Sequence, residues 1–129
     1  MRLASLLREP ATTDKQLFRL AKAVGIRNVA ISWLQNYDPN HKGPQVINLG
    51  SPRMGGTHWV AVYRDHYFDP LGMPPPSVKD LDEKQWTTID VQKSSYGHCG
   101  QYCIYFLWHA IRMTSTDSIA TSTRTTSPS

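Results

Sequence analysis

One cysteine of this chain lies where a protein can use a thiol as a nucleophile. Cys99 stands between Gly97 and Gly100, where a loop-like sequence gives way to the apolar spacing of a helix. Free backbone N–H groups and the helix dipole at a helix N-terminus lower the pKa of a thiol and favour the thiolate. The small neighbours leave the sulfur approachable. The pattern therefore predicts an activated thiol at Cys99.

The other groups that thiol chemistry needs precede Cys99 in the sequence. Attack of a thiolate on a carbonyl requires a base, a group that orients the base, and donors for the oxyanion. His58 is the candidate base and Asp69 the candidate orienting carboxylate, with Asp65 as its competitor. The amide of Gln92 is a candidate oxyanion donor, together with the backbone N–H of Cys99. These residues predict a Cys–His–Asp arrangement.

A predicted β-hairpin would bring the histidine and the carboxylate together. Residues 57–63 have the β-branched and aromatic composition of a buried strand, and residues 66–69 would be its return strand. If the turn is centred near Arg64, the residue numbers of two facing positions add up to about 128. This register places Asp69 within one position of the residue that faces His58.

The remaining patterns predict the elements that would hold these groups. Helices are expected at residues 1–9 and 13–24, a short polar helix at 77–83, and further strands at 28–34, 45–49 and 86–91. The helix after Cys99 has an apolar face made of Tyr102, Cys103, Phe106, Leu107, Ala110 and Ile111. We therefore assign Cys103 to core packing.

The sequence has 129 residues, which is enough for one domain. We place this domain at residues 1–113. Residues 114–129 are rich in Ser and Thr and predict a disordered tail. Charged residues interrupt the N-terminus too early for a secretory signal. Two cysteines four residues apart are not a disulfide framework and lack the second ligand pair of a zinc site. We expect an intracellular, non-secreted protein with no metal ion.

The net charge of +4 is concentrated in the first half of the chain. Residues 1–50 carry seven of the 14 Lys and Arg residues beside three acidic ones. Contact with nucleic acid or another polyanion is one interpretation, and a solvated basic helix face is the other. We expect no membrane partner and a monomeric protein.

Three segments taken together resemble the adenovirus protease family. They read Gly-Gly-Thr-His-Trp-Val-Ala at 55–61, Phe-Asp-Pro-Leu-Gly at 68–72, and Gln92-x6-Cys99-Gly100-x2-Cys103. Relatives of that family occur in adenovirus-like viruses and virus-like transposons, and the wider clan includes the SUMO-specific proteases. The ordered set of motifs, with its Gln-to-Cys spacing, is more specific than any one of them.

The resemblance implies both a fold and a set of roles. It implies an α+β, papain-like core in which the cysteine helix packs on a small antiparallel sheet that carries His58 and Asp69. It implies a thiol endopeptidase that processes virus-encoded precursor proteins, with DNA as the one possible cofactor, located in the host nucleus or the virion. Trp59, Gly56 and Gly97 are the substrate-binding candidates, although a structural aromatic is the alternative for Trp59.

The chain also differs from that family. Adenovirus proteases carry Glu at the position of Asp69, and they hold their activating peptide through a cysteine that has no counterpart between Asp69 and Cys99 here. They also continue beyond the cysteine helix, whereas this sequence passes into Ser and Thr, so we expect a C-terminally truncated domain. An isopeptidase acting on ubiquitin-like tails, and a catalytically silent virus-derived remnant that serves as a binding module, are the alternative functions.

Overall fold

The computed structural model describes residues 13–50, 58–86 and 99–123, with the side chains of the last segment described as far as Met113. Several sequence predictions lie outside these residues. They are the helix at 1–9, most of the strand at 86–91, the substrate-binding candidates Gly56 and Gly97, and the oxyanion candidate Gln92.

The first described helix, α1, spans Asp14–Ala23 and begins and ends where the sequence predicts. Thr13 and Gln16 form a capping box in which each side chain accepts a hydrogen bond from the other residue's backbone N–H. Helical spacing puts Leu17, Leu20 and Ala21 on the buried face. Gly25, with φ of 85°, follows the helix end.

Five strands form one sheet whose spatial order follows the chain. They are β1 (Ala30–Trp33), β2 (Gln45–Asn48), β3 (Trp59–Tyr63), β4 (His66–Phe68) and β5 (Gln85–Trp86). The three central strands are antiparallel, as predicted, but β1 pairs parallel with β2 and β4 pairs parallel with β5. The prediction of an antiparallel sheet is wrong at both edges because residues 34–44 and 69–84 are long enough to cross back to the starting end of the sheet.

The helix that begins at Cys99, α2, spans Cys99–Thr123 and packs across the middle of the sheet. Its buried side chains Cys103, Ile104 and Leu107 join α1 and one face of the sheet in the larger core cluster. Phe106 stacks on Phe68 with ring centroids 4.6 Å apart. The end of α2 lies within the segment that the sequence assigns to the tail, and the boundary at residue 113 stays a prediction.

The other face of the sheet is covered by its two long connections, the one between β4 and β5 and the one between β1 and β2, which begins with a 3-10 helix at Leu34–Asn36. Leu81 is fully buried there against Ile47, Val60, Val62 and Tyr67. The polar helix predicted at 77–83 is a series of turns, because Asp80 adopts a positive φ of 79°, which interrupts helical geometry.

The described chain is therefore a mixed α+β fold, as the sequence predicts, with α1 and α2 on one face of a five-stranded sheet. Within residues 13–50, 58–86 and 99–123, no helix is long and apolar enough to cross a membrane.

Candidate active site

His58 and Asp69 meet at one end of the central hairpin. His58 directly precedes β3 and Asp69 directly follows β4, and a two-residue turn at Arg64 and Asp65 joins the strands. In the structure the residue numbers of facing positions add up to 129, one more than predicted. The His58 Nε2 atom lies 2.8 Å from Asp69 Oδ1. The hairpin thus brings together two side chains that are eleven positions apart.

The Asp69 carboxylate is buried and is held by a backbone hydrogen bond from the turn that follows β4. Only 2% of the residue is exposed, and the Leu71 backbone N–H donates to the same Oδ1 atom at 2.8 Å. The Gly72 N–H closes the turn by donating to the Asp69 carbonyl at 2.8 Å. A buried carboxylate that accepts the Leu71 bond is fixed as an acceptor for the imidazole.

Cys99 is the first residue of α2 and lies against the strand that follows His58. Its Sγ atom accepts a hydrogen bond from the Trp59 backbone N–H at 3.4 Å. Its side chain also hydrogen-bonds to the His58 imidazole. The thiol is buried, with 4% of the residue exposed. Cys99, His58 and Asp69 are therefore in one hydrogen-bonded line.

This line of hydrogen bonds raises the pKa of His58. Burial on its own lowers the pKa of the imidazole, but hydrogen bonds to Asp69 and Cys99, and the charges of both groups, outweigh that effect and raise the pKa from 6.5 to about 9. The side chain keeps 26% of its surface exposed, so solvent still reaches it. At neutral pH the imidazole holds its proton, which is the form that stabilises a neighbouring thiolate.

The competing carboxylate, Asp65, lies away from this group. It is exposed at the hairpin tip, and its side chain accepts a bond from Gln85 Nε2 at 3.3 Å. The predicted core residue Cys103 is fully buried one helical turn after Cys99. Burial raises its pKa well above the ordinary value, so this thiol stays protonated.

Trp59 is buried and lines a cavity beside the candidate site. The cavity measures about 280 Å³ and also contacts Trp33, Asn48 and Ser32. Among the described residues, the buried indole N–H of Trp59 has no hydrogen-bond partner. Trp33, 42% exposed at the end of β1, was not predicted as a site residue. A tryptophan at the end of a short strand is the only sequence signal that pointed to it.

A second cavity lies at the far end of α2. It measures about 470 Å³, and the described residues that line it include three basic side chains, Arg27, Lys42 and Arg112, and no acidic one. The Arg112 guanidinium lies 4.1 Å from the centre of the Trp108 ring. Trp108 is nine residues after Cys99, so this basic cavity is about 14 Å along the helix from the thiol.

Comparison with curated proteins finds one viral relative of part of this chain. The chain is 27% identical over 89 residues to a protein named Protease from Bovine adenovirus 4. The match covers 49% of this chain and 44% of the relative, so it spans less than half of that protein's length. No family model matches the chain, and no solved structure matches it. The similarity supports a distant relationship to an adenovirus protease, and with it a peptidase.

Proposed function

We propose that this chain is a cysteine peptidase related to the adenovirus proteases. Cys99 is the nucleophile, His58 the general base, and Asp69 the group that orients the imidazole. The observation that carries the proposal is that one imidazole hydrogen-bonds to both the buried carboxylate and the thiol. The viral relative supports the same reaction class, because its name is Protease.

The geometry supports a definite order of proton transfers. Asp69 occupies Nε2 of His58, so Nδ1 is the ring atom left for the thiol. With the proton already held on His58, the thiolate of Cys99 attacks the carbonyl carbon of the scissile peptide. His58 then gives the proton to the departing amine, which leaves a thioester on Cys99. Water, deprotonated by the same imidazole, hydrolyses the thioester and releases the acid and the free thiol.

We propose that the start of α2 stabilises the oxyanion. The free N–H groups of a helix N-terminus favour a developing negative charge, and Cys99 is the first helical residue. We propose that its backbone N–H and the Gln92 amide donate to the oxyanion. Gln92 enters this proposal through the sequence motif alone.

The substrate would reach the thiol past the cavity beside Trp59. Trp59 and Trp33 contribute apolar lining there. We propose a protein substrate, with virus-encoded precursors and cleavage after small residues such as Gly taken from the family resemblance. Gly56 and Gly97 remain substrate-binding proposals on the same ground.

The test is titration with a peptide aldehyde that ends in Gly, with binding measured by competition against alkylation of Cys99. Wild-type protein should bind one aldehyde per chain at Cys99. His58→Ala should lose this binding, whereas His66→Ala, an exposed histidine of the same hairpin, should keep it. Equal binding by the two variants, or no aldehyde protection of Cys99 in the wild type, would overturn the proposal.

We also propose that DNA contacts the basic cavity at the far end of α2. Arg27 and Lys42 there offer phosphate pairing, beside the Trp108 ring that the Arg112 guanidinium covers. Arg27→Ala and Lys42→Ala should each weaken the binding of a single-stranded oligonucleotide and reduce its salt dependence, measured by fluorescence anisotropy. Lys79→Ala, an exposed lysine outside this cavity, is the control. Equal effects of all three substitutions would contradict a local site.

A further inference from the structure

The backbone of Trp59 lies where the sheet cannot complete its hydrogen bonding. Ala61 pairs with Phe68 in the antiparallel ladder between β3 and β4, so the same register places Pro70 opposite Trp59. Proline has no backbone N–H to donate. The ladder therefore offers no donor to the Trp59 carbonyl.

The other side of β3 cannot supply that donor either. The Leu49 N–H donates to the His58 carbonyl at 2.8 Å, so the peptide groups of His58 face β2. Because successive residues of a strand direct their peptide groups to opposite neighbours, those of Trp59 face the β4 side. The backbone N–H and carbonyl of Trp59 thus both point to the end of the hairpin where α2 begins.

The two thiols of α2 occupy these positions. The Cys103 thiol donates to the Trp59 carbonyl at 3.2 Å, and the Trp59 N–H donates to Cys99 Sγ at 3.4 Å. Cys103 is fully buried, and a thiol in an apolar core stays protonated and keeps its donor. One residue of β3 is therefore held at its N–H by the candidate nucleophile and at its carbonyl by the next thiol along the helix.

We propose that Cys103 is a positioning residue of the active site. Its S–H replaces the strand donor that Pro70 lacks, and it fixes the Trp59 peptide so that the N–H points at the Cys99 sulfur. Since His58 directly precedes Trp59, the same bond sets the distance between the imidazole and the thiol. The importance of Cys103 for catalysis rests on the peptidase proposed above, whereas its effect on the sulfur of Cys99 does not.

The experiment compares Cys103→Ala with Cys103→Ser, two side chains that differ by one hydroxyl. The rate of Cys99 alkylation by iodoacetamide is measured from pH 5 to 10 by mass spectrometry, on protein whose folding is checked by circular dichroism. Cys103→Ala should slow alkylation about tenfold near pH 7, because a displaced N–H no longer stabilises the thiolate, and should shift the pH midpoint upward. Cys103→Ser, which keeps a donor, should stay within about threefold of the wild type.

If Cys103 only filled space in the core, Cys103→Ala would be alkylated as fast as Cys103→Ser or faster. A buried serine is no better tolerated in an apolar core than alanine, so equal rates for the two variants, or faster alkylation in Cys103→Ala, would overturn the proposal. Should Cys103→Ala not fold, Cys103→Val takes its place as the side chain without a donor, and the comparison with Cys103→Ser decides in the same way.

The failure of this proposal can be told apart from the failure of the peptidase. Alkylation of Cys99 needs no substrate. If the alkylation rates of Cys103→Ser and Cys103→Ala differ but the protein binds no peptide aldehyde, the peptidase proposal is wrong and the positioning role of Cys103 stands. If the aldehyde binds at Cys99 but both variants are alkylated at the same rate, the peptidase proposal stands and the positioning role is wrong.

Discussion

His58 Nε2 and Asp69 Oδ1 are 2.8 Å apart, although neither residue belongs to a strand. Each is the first residue beyond one end of the same hairpin, so the strand pairing sets their separation. The carboxylate is buried and the imidazole keeps contact with solvent. This arrangement lets the carboxylate act on the pKa of the imidazole without blocking access to its other nitrogen.

Asp69→Asn should weaken the reactivity of Cys99. The amide oxygen can still accept from the Leu71 N–H, but the negative charge that raises the pKa of His58 is gone. We expect the alkylation rate of Cys99 at pH 6 to 7 to fall by at least about tenfold, measured by mass spectrometry. Asp65→Asn, on the exposed hairpin tip, should leave the rate unchanged. A similar loss in both variants would mean that the effect is not local.

Stability should depend on pH through His58. Its pKa rises from 6.5 to about 9 on folding, so the folded state binds the proton more tightly than the unfolded state. The resulting stabilisation is fully present below about pH 6.5 and is lost as the pH rises through about 9. Urea unfolding should give a lower free energy of unfolding at pH 10 than at pH 6.

The matched variants for that measurement are His58→Ala and His66→Ala. His58→Ala should lose the part of the difference that arises between pH 6 and pH 8, because Cys103 and Tyr67, whose pKa values are also raised, affect stability only at higher pH. His66→Ala should retain the difference found in the wild type. An identical pH dependence in His58→Ala and the wild type would show that other groups cause it.

The sequence predicted the proximity of His58 and Asp69 better than it predicted the edges of the sheet. The turn at Arg64 and the alternation of residues 57–63 predict that His58 lies near Asp69, but the exact register differs by one position from the prediction. The start of α2 at Cys99 could be predicted from glycine and apolar spacing. The roles of these residues in catalysis stay a prediction.

The parallel edge strands and the Cys103 bond could not be predicted in the same way. Strand direction at the edges depends on where residues 34–44 and 69–84 cross, and local patterns do not encode that. The sequence assigned Cys103 to the core, and its burial agrees. Its hydrogen bond to the Trp59 carbonyl depends on the register that places Pro70 opposite Trp59, which is a property of the assembled sheet.

Gly43→Ala should destabilise the wall of the basic cavity. A Cβ at this position would lie 2.5 Å from the Asn28 carbonyl oxygen and 2.9 Å from its side-chain nitrogen. Backbone cannot yield as a flexible side chain does, so we expect a loss of about 1–3 kcal/mol in the free energy of unfolding. Lys42→Ala, the exposed neighbour, should change it by less than about 0.5 kcal/mol. Urea unfolding of both variants checks this, and equal losses would contradict it.

Tyr67→Phe and Tyr37→Phe should differ in their effect on stability, because only the Tyr37 hydroxyl has a hydrogen-bond partner among the described residues. The Tyr67 hydroxyl is buried with no hydrogen-bond partner among the described residues, and burial raises its pKa far above the usual range. Removing it should leave the free energy of unfolding unchanged or raise it by up to about 1 kcal/mol, because an unsatisfied polar group is lost.

The Tyr37 hydroxyl, in contrast, donates to the Asp80 carboxylate across the two long connections of the sheet. Its removal should lower the free energy of unfolding by about 1–2 kcal/mol, since a hydrogen bond to a charged acceptor is lost. Urea unfolding at pH 7 measures both variants. If Tyr67→Phe destabilised the protein as much as Tyr37→Phe, the Tyr67 hydroxyl would have to be satisfied in solution.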